Sequence, residues 1–188
     1  MNRLLIPKEK CVSRKRERLH NMNEKIEAAC CFTGHRLIPE DIKASLIERL
    51  RNGVDFLYTH MGIKTFYTGG ALGFDTLAAE AVIDRRKERP DIRLVIVVPC
   101  KDQDRNWGIK DKIRYYRIKQ AADDVICLSD HYYRGCMHQR NRYLVDHSTA
   151  CICYLAADTG GTAYTVGYAQ SKGLKIFDLA RPKGQAHE

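Results

Sequence analysis

Tyr67-Thr68-Gly69-Gly70-Ala71-Leu72-Gly73-Phe74-Asp75 joins a short β-branched and aromatic run to an alanine- and leucine-rich stretch of helical period through three glycines. A strand that turns sharply into a helix is the unit from which parallel α/β sheets are built. Glycine allows positive φ and close approach of the backbone. A helix starting near Phe74 also directs unpaired N–H groups and the positive end of its dipole at any anion placed there. The stretch therefore reads as strand, turn and helix with a candidate phosphate cradle at the turn, and a tight βα turn without a ligand is the alternative reading of the same glycines.

The same alternation extends in both directions. Upstream, residues 28–33 form an apolar first strand, and Pro39-Glu40-Asp41 opens a helix in which Ile42, Leu46, Ile47 and Leu50 recur at helical spacing. Residues 64–68 make the second strand and 74–89 its helix, and residues 92–99 form a third strand apolar enough for burial on both faces. Helical pattern resumes over 110–122, then strand 125–128, a helix over 136–147 and strand 149–155. A second glycine turn, Thr159-Gly160-Gly161-Thr162, leads into helix 163–171, Gly173 ends it, and residues 174–179 make the last strand. The fold class is α/β: a three-layer Rossmann-like sandwich with a mainly parallel sheet of about six strands. Residues 1–24 read as a basic N-terminal extension, 25–179 as one Rossmann-like domain and 180–188 as a C-terminal tail.

Composition narrows the class. The chain has 188 residues and a formal net charge of +9, with an ordinary hydrophobic fraction for a globular protein. Residues 1–20 carry seven Lys or Arg and two Asp or Glu, so more than half of that excess sits in the extension rather than on the domain. Met22-Asn23 opens directly onto the first strand and is a candidate natural start. No apolar run approaches a membrane span and no signal region follows the basic residues, so a cytoplasmic protein without a membrane partner is expected. The eight cysteines include no C-x-x-C pair. Cys30, Cys31, Cys151 and Cys153 lie in strand-like runs and are expected to pack as small hydrophobes. His131, Cys136 and His138 lack a matching ligand pair, and no metal is expected.

Each polar segment follows a strand. Thr33-Gly34-His35-Arg36 follows the first, Gly69, Gly70, Gly73 and Asp75 the second, Gln103 and Trp107 the third, Arg140-Asn141 the fourth, and Asp158 with Gly160-Gly161-Thr162 the fifth. In a parallel sheet these loops emerge at one edge, where open α/β sheets bind ligands. Arg36 offers a planar fork for phosphate or carboxylate. Asp75 suits either a helix cap or a ribose hydroxyl. Trp107 suits either a base or an apolar wall. Arg140 and Asn141 are candidates for phosphate and base edge, and Thr162 offers a hydroxyl at a helix N-terminus. Neither G-x-G-x-x-G nor G-x-x-x-x-G-K-[ST] occurs, which disfavours ordinary dinucleotide dehydrogenases and P-loop NTPases.

The series Phe32-Thr33-Gly34-His35-Arg36, Gly69-Gly70-Ala71-Leu72-Gly73-Phe74-Asp75, Gln103 with Trp107, Arg140-Asn141-Arg142-Tyr143-Leu144-Val145-Asp146 and Gly160-Gly161-Thr162 resembles the YpsA-like family of bacterial proteins over residues 28–178. That family belongs to the SLOG superfamily, with the DNA-processing protein A family and the LOG-type phosphoribohydrolases. The resemblance implies a Rossmann-like fold, a site for a nucleotide or nucleotide-derived ligand, and homo-oligomerisation. Residues 70–75 are also similar to the Gly-Leu-Ala-x-Gly-Ile-Asp loop of the DNA-processing family. In LOG-type enzymes a Pro-Gly-Gly-x-Gly-Thr-x-x-Glu motif supplies a catalytic Glu; aligned on Gly160-Gly161, that position is Gly167 here.

The expected function is binding or sensing of a nucleotide-like small molecule, including one resembling ADP-ribose, with no cofactor required. Thr33, Gly34, His35, Arg36, Gly69, Gly70, Gly73, Asp75, Gln103, Trp107, Arg140, Asn141, Gly160, Gly161 and Thr162 are the expected ligand residues. One alternative is hydrolysis of an N-glycosidic bond with Asp75 or Asp158 as acid/base. The other is single-stranded nucleic-acid binding through the basic extension and exposed tyrosines.

Overall fold

A computed structural model gives the protein's structure and describes residues 28–180, so the basic extension, Met22 and residues 181–188 lie outside the described residues. Six strands and five helices alternate along the chain: β1 Ala29–Gly34, α1 Glu40–Met61, β2 Thr65–Thr68, α2 Phe74–Arg85, β3 Arg93–Val98, α3 Ile109–Ala121, β4 Asp124–Cys127, α4 Cys136–Asp146, β5 Ala150–Tyr154, α5 Gly160–Ser171 and β6 Lys175–Asp178. All pair in parallel in the order β4-β3-β2-β1-β5-β6. The expected sheet is thus wholly parallel among the described residues.

Central position explains composition. β1 is flanked by β2 and β5 and covered on both faces, so its Ala29-Cys30-Cys31-Phe32 run has no solvent side and needs no alternation. Cys30, Cys31, Cys151 and Cys153 are fully buried in β1 and β5 as unbridged packing groups. On one face α1, α2 and α3 lie side by side, and α4 and α5 cover the other. Phe32 stacks on Phe66 in the larger core, centroids 5.9 Å apart, where Leu46, Leu50, Val54 and Leu57 of α1 also pack. α1 ends at left-handed Gly62, and the buried Ile63 donates back to the Leu57 carbonyl at 3.1 Å.

Two boundaries differ from the pattern in the sequence. The α2 pattern runs to residue 89, but the helix ends at Arg85 and residues 86–89 form turns bonded to Val82, Asp84 and Arg85, because Pro90 disfavours helical geometry at the residue before it. α5 begins at Gly160, three residues before its apolar period starts, so Gly160 and Gly161 form its first turn rather than a loop ahead of it. The first helical N–H groups have no intrahelical acceptor to lose, which lets glycines serve there.

The loops at the carboxyl edge are locked by close packing. Gly34 ends β1 against the face of Phe74, where an added Cβ would lie 2.4 Å from the ring, and the Phe74 amide donates to the His35 carbonyl at 3.1 Å. Gly34→Ala is therefore expected to lower the unfolding free energy by roughly 1–3 kcal/mol. Urea denaturation of both proteins, with unchanged m-values, checks this.

Candidate functional site at the carboxyl edge of the sheet

Strand order reverses direction between β1 and β5: from β1 the chain crosses to β2, and from β5 it crosses the opposite way to β6. The loops after β1 and β5 therefore bound the crevice in which open α/β sheets hold ligands. They are tied together at this point. The His35 ring accepts the Ala157 amide at Nε2, 3.2 Å away, and packs edge-on against Tyr154, while Phe74 stacks against the same Tyr154 at 6.1 Å.

Beside this crevice the glycine loop is folded around a side chain of its own. Asp75 is buried in the first turn of α2, and the Ala71 amide donates to its Oδ2 at 3.4 Å, with the Gly69 amide acting on the same carboxylate. The Gly70 amide turns to Thr68 Oγ1 at 3.4 Å, and Thr76 Oγ1 donates to the Ala71 carbonyl at 2.8 Å. Thus amides that the sequence offers to a phosphate are directed at Asp75 and Thr68. Gly73 bends the loop into the helix at φ 78°, and an added Cβ there would sit 2.1 Å from the Arg36 carbonyl oxygen.

Arg140 completes the arrangement from the opposite face. From the second turn of α4 it reaches over the end of the sheet to place Nη1 3.5 Å from Asp75 Oδ2, with both side chains buried. It lies directly on Gly69, where a Cβ would fall 1.2 Å from Nη1, so only a glycine leaves room for the guanidinium. Arg140 Nε donates to Asn141 Oδ1 at 2.8 Å, Asn141 Nδ2 to Thr165 Oγ1 at 2.7 Å, and Thr165 Oγ1 to the Gly161 carbonyl at 2.7 Å. Gln103 adds a clamp, donating Nε2 to the Gly69 and Gly70 carbonyls at 3.3 and 3.2 Å. Arg140 Nη1 and Gln103 Oε1 are buried without hydrogen-bond partners.

Electrostatics follow from burial. Removal from water pushes the Asp75 carboxyl above its ordinary pKa, and Arg140, the Ala71 amide, Arg36 and the Gly69 amide pull it back only in part. Burial likewise lowers the Arg140 pKa against the opposing pull of Asp75, and Arg36 adds to the lowering. Arg36 is thus close enough for its charge to act on both, while being exposed in the loop after β1.

The remaining predicted residues divide cleanly. Thr33 is buried at the end of β1, and Trp107 packs against the main core, edge-on to Tyr115 at 5.1 Å, as an apolar wall. Arg140 and Asn141 are engaged inside the protein. Asp158 is exposed in the loop after β5, next to the start of α5. There Gly160 and Gly161 are exposed with open space beyond each Cα, the Thr159 side chain makes no capping hydrogen bond, and Thr162 is buried behind them. Thr68, Thr76, Tyr154 and Thr165 escaped the sequence reading. Thr68 lies inside the glycine stretch and carries a local signal, whereas Thr165 looks like any helical threonine.

Fold and loops define a Rossmann-like domain with its candidate site at the topological switch point. The comparisons with known proteins agree with that class, and the chain belongs to the YspA SLOG family, whose model, YpsA, matches residues 30–176. It is 30% identical over 137 residues to the SPbeta prophage-derived protein YoqJ of Bacillus subtilis (strain 168), covering 66% of this chain and 80% of that one. It is 27% identical over 114 residues to the UPF0398 protein YpsA of the same strain, covering 59% of this chain and 63% of the relative. Among solved structures, DNA processing protein A from Helicobacter pylori, described for its single-stranded DNA binding mode, superposes with TM-score 0.59 at 19% identity over 87% of this chain and 72% of that one. The Streptococcus pneumoniae protein of the same name gives 0.58 at 15% over 84% and 52%. At these identities the likeness is one of fold.

Asp75→Asn separates burial from pairing at this carboxyl, because removal from water outweighs the pull of Arg140 on it. The sign with pH is distinctive. A carboxyl whose folded pKa is raised contributes most at low pH, and that contribution falls as pH rises from the unfolded pKa through the folded one. The stability difference between wild type and Asp75→Asn should shrink over that window, as urea titrations at stepped pH would record.

Proposed function

We propose that this protein binds a nucleotide or nucleotide-derived ligand across the switch point, with phosphate seated on the N-terminus of α5 and beside Arg36. The observation that carries this reading is the contrast between two glycine turns. The turn before α2 directs amides at Asp75 and Thr68, while α5 begins with exposed Gly160 and Gly161, open space and no side-chain cap. An uncapped helix start presents orphan N–H groups and a positive dipole end, and here it stands at the crevice between β1 and β5. The tie from His35 to Ala157 holds the loop that bears Arg36 next to it.

In this reading the Asp75–Arg140 pair is scaffold. It sets the height of the glycine loop, and the chain through Asn141 and Thr165 to the Gly161 carbonyl fixes the first turn of α5 from behind. Hydrolysis of an N-glycosidic bond has less support: the Asp75 carboxylate is taken up by Ala71, Gly69 and Arg140, and Gly167 stands where a LOG-type Glu would be.

A thermal-shift panel of adenine nucleotides, ADP-ribose and NAD tests the proposal. A phosphate-bearing ligand at 100 times its Kd stabilises by about 2.7 kcal/mol. Gly161→Asp should abolish the shift while leaving the free protein folded, since an acidic residue suits a helix start but repels phosphate. Arg36→Ala should weaken the shift. No shift with any of these ligands, or an undiminished shift in Gly161→Asp, would refute the placement.

A further inference from the structure

The outer face of α4 and α5 carries chemistry that the switch-point site does not use. Tyr164 and Tyr168, one turn apart on α5, have parallel rings, 2° between planes and 6.5 Å between centroids. Arg142 of α4 stands opposite both, its guanidinium carbon 5.9 Å from one ring and 5.8 Å from the other, and its Nε donates to Tyr164 Oη at 2.6 Å. Lys172 lies 5.2 Å from the Tyr168 centroid, and His138 packs edge-on to Tyr164 at 4.4 Å. Cations and rings therefore alternate along the groove between the helices. The acidic group on this face, Asp146, is matched by Lys172 at 3.2 Å and accepts the Tyr168 hydroxyl at 2.9 Å. In the loop that leads into α4, Arg134 is exposed and follows Tyr132 and Tyr133, which are 62% and 44% exposed.

A second observation concerns Gly167, which sits in the interior of α5 between the two tyrosines, is exposed, and has no atom within 4 Å of an added Cβ. Glycine weakens a helix interior, and nothing inside the protein requires one there. It leaves bare backbone beside the rings, where a bulky strand can come close.

We propose that the α4–α5 face is a track for single-stranded nucleic acid, with bases stacking on Tyr164 and Tyr168, phosphates along Arg142 and Lys172, and the backbone passing over Gly167. A single strand is favoured because its bases are free to meet a ring face, whereas bases in a duplex are already stacked and paired. Tyrosine faces accept any base, and interleaved cations track the phosphates, the combination found in sequence-tolerant single-strand binders. The track lies on the helical face and is separable from the crevice between β1 and β5.

The test is fluorescence anisotropy of a labelled twelve-nucleotide oligothymidylate with the full chain, at stepped salt. Wild type should bind saturably and more tightly than to a duplex of the same length. Tyr164→Ala and Tyr168→Ala should each weaken binding about tenfold or more, and Tyr168→Phe should keep wild-type affinity because the ring remains. Gly167→Leu separates binding from folding: it should raise the melting temperature and weaken the oligonucleotide complex. Absence of saturable binding, equal affinity for the duplex, or unchanged affinity in Tyr168→Ala overturns the proposal. A concentration-dependent dimer in sedimentation that Gly167→Leu disrupts also overturns it, and assigns the face to a second copy of the chain.

Discussion

The buried ion pair between Asp75 and Arg140 is the constraint on which the carboxyl edge of this protein depends. Arg140 belongs to the α4–α5 layer and Asp75 to the α1–α3 layer, so the pair closes over the end of the sheet and joins the two layers. Its consequences spread through neighbours. Gly69 must lack a side chain to admit the guanidinium, the loop amides at Gly69 and Ala71 turn inward to the carboxylate, and Gln103 holds the loop carbonyls from the other side. Such a pair carries a large desolvation cost, and its orientation specificity rather than net stability is the physical reason to expect it at a site.

This arrangement divides the loops by task. The glycine loop after β2 is occupied with its own acid and becomes part of the frame. The first turn of α5, held from behind through Thr165, is left open toward the switch point with Arg36 and His35 nearby. An outward-facing helix start carries the unpaired N–H groups and positive dipole end that anion recognition uses.

Much of this was legible in the sequence. The period of apolar residues gave the alternation of strands and helices, and parallel pairing then placed the five loops on one edge. Gly34 and Gly73 could be read as sites of close approach because a strand ends or a helix begins beside each. The direction of the loop amides could not be read. Whether a glycine loop faces a ligand or an internal carboxylate depends on Asp75 folding back under Ala71, and on Arg140 arriving from a helix on the other face. Neither leaves a local pattern. Arg140 in particular looks like a solvated helical arginine until the strand order puts α4 across the sheet. The same holds for the tyrosine and arginine groove, whose spacing exists only once α4 and α5 lie side by side.

Amide chemical shifts on titration with ADP-ribose separate the two glycine turns, because each loop reports on its own N–H groups. The amides of Gly160, Gly161 and Thr162 are expected to move on binding, while those of Gly70 and Ala71, already donated to Thr68 and Asp75, stay nearly fixed. Large shifts at Gly70 and Ala71 with none at the start of α5 would contradict phosphate binding at α5.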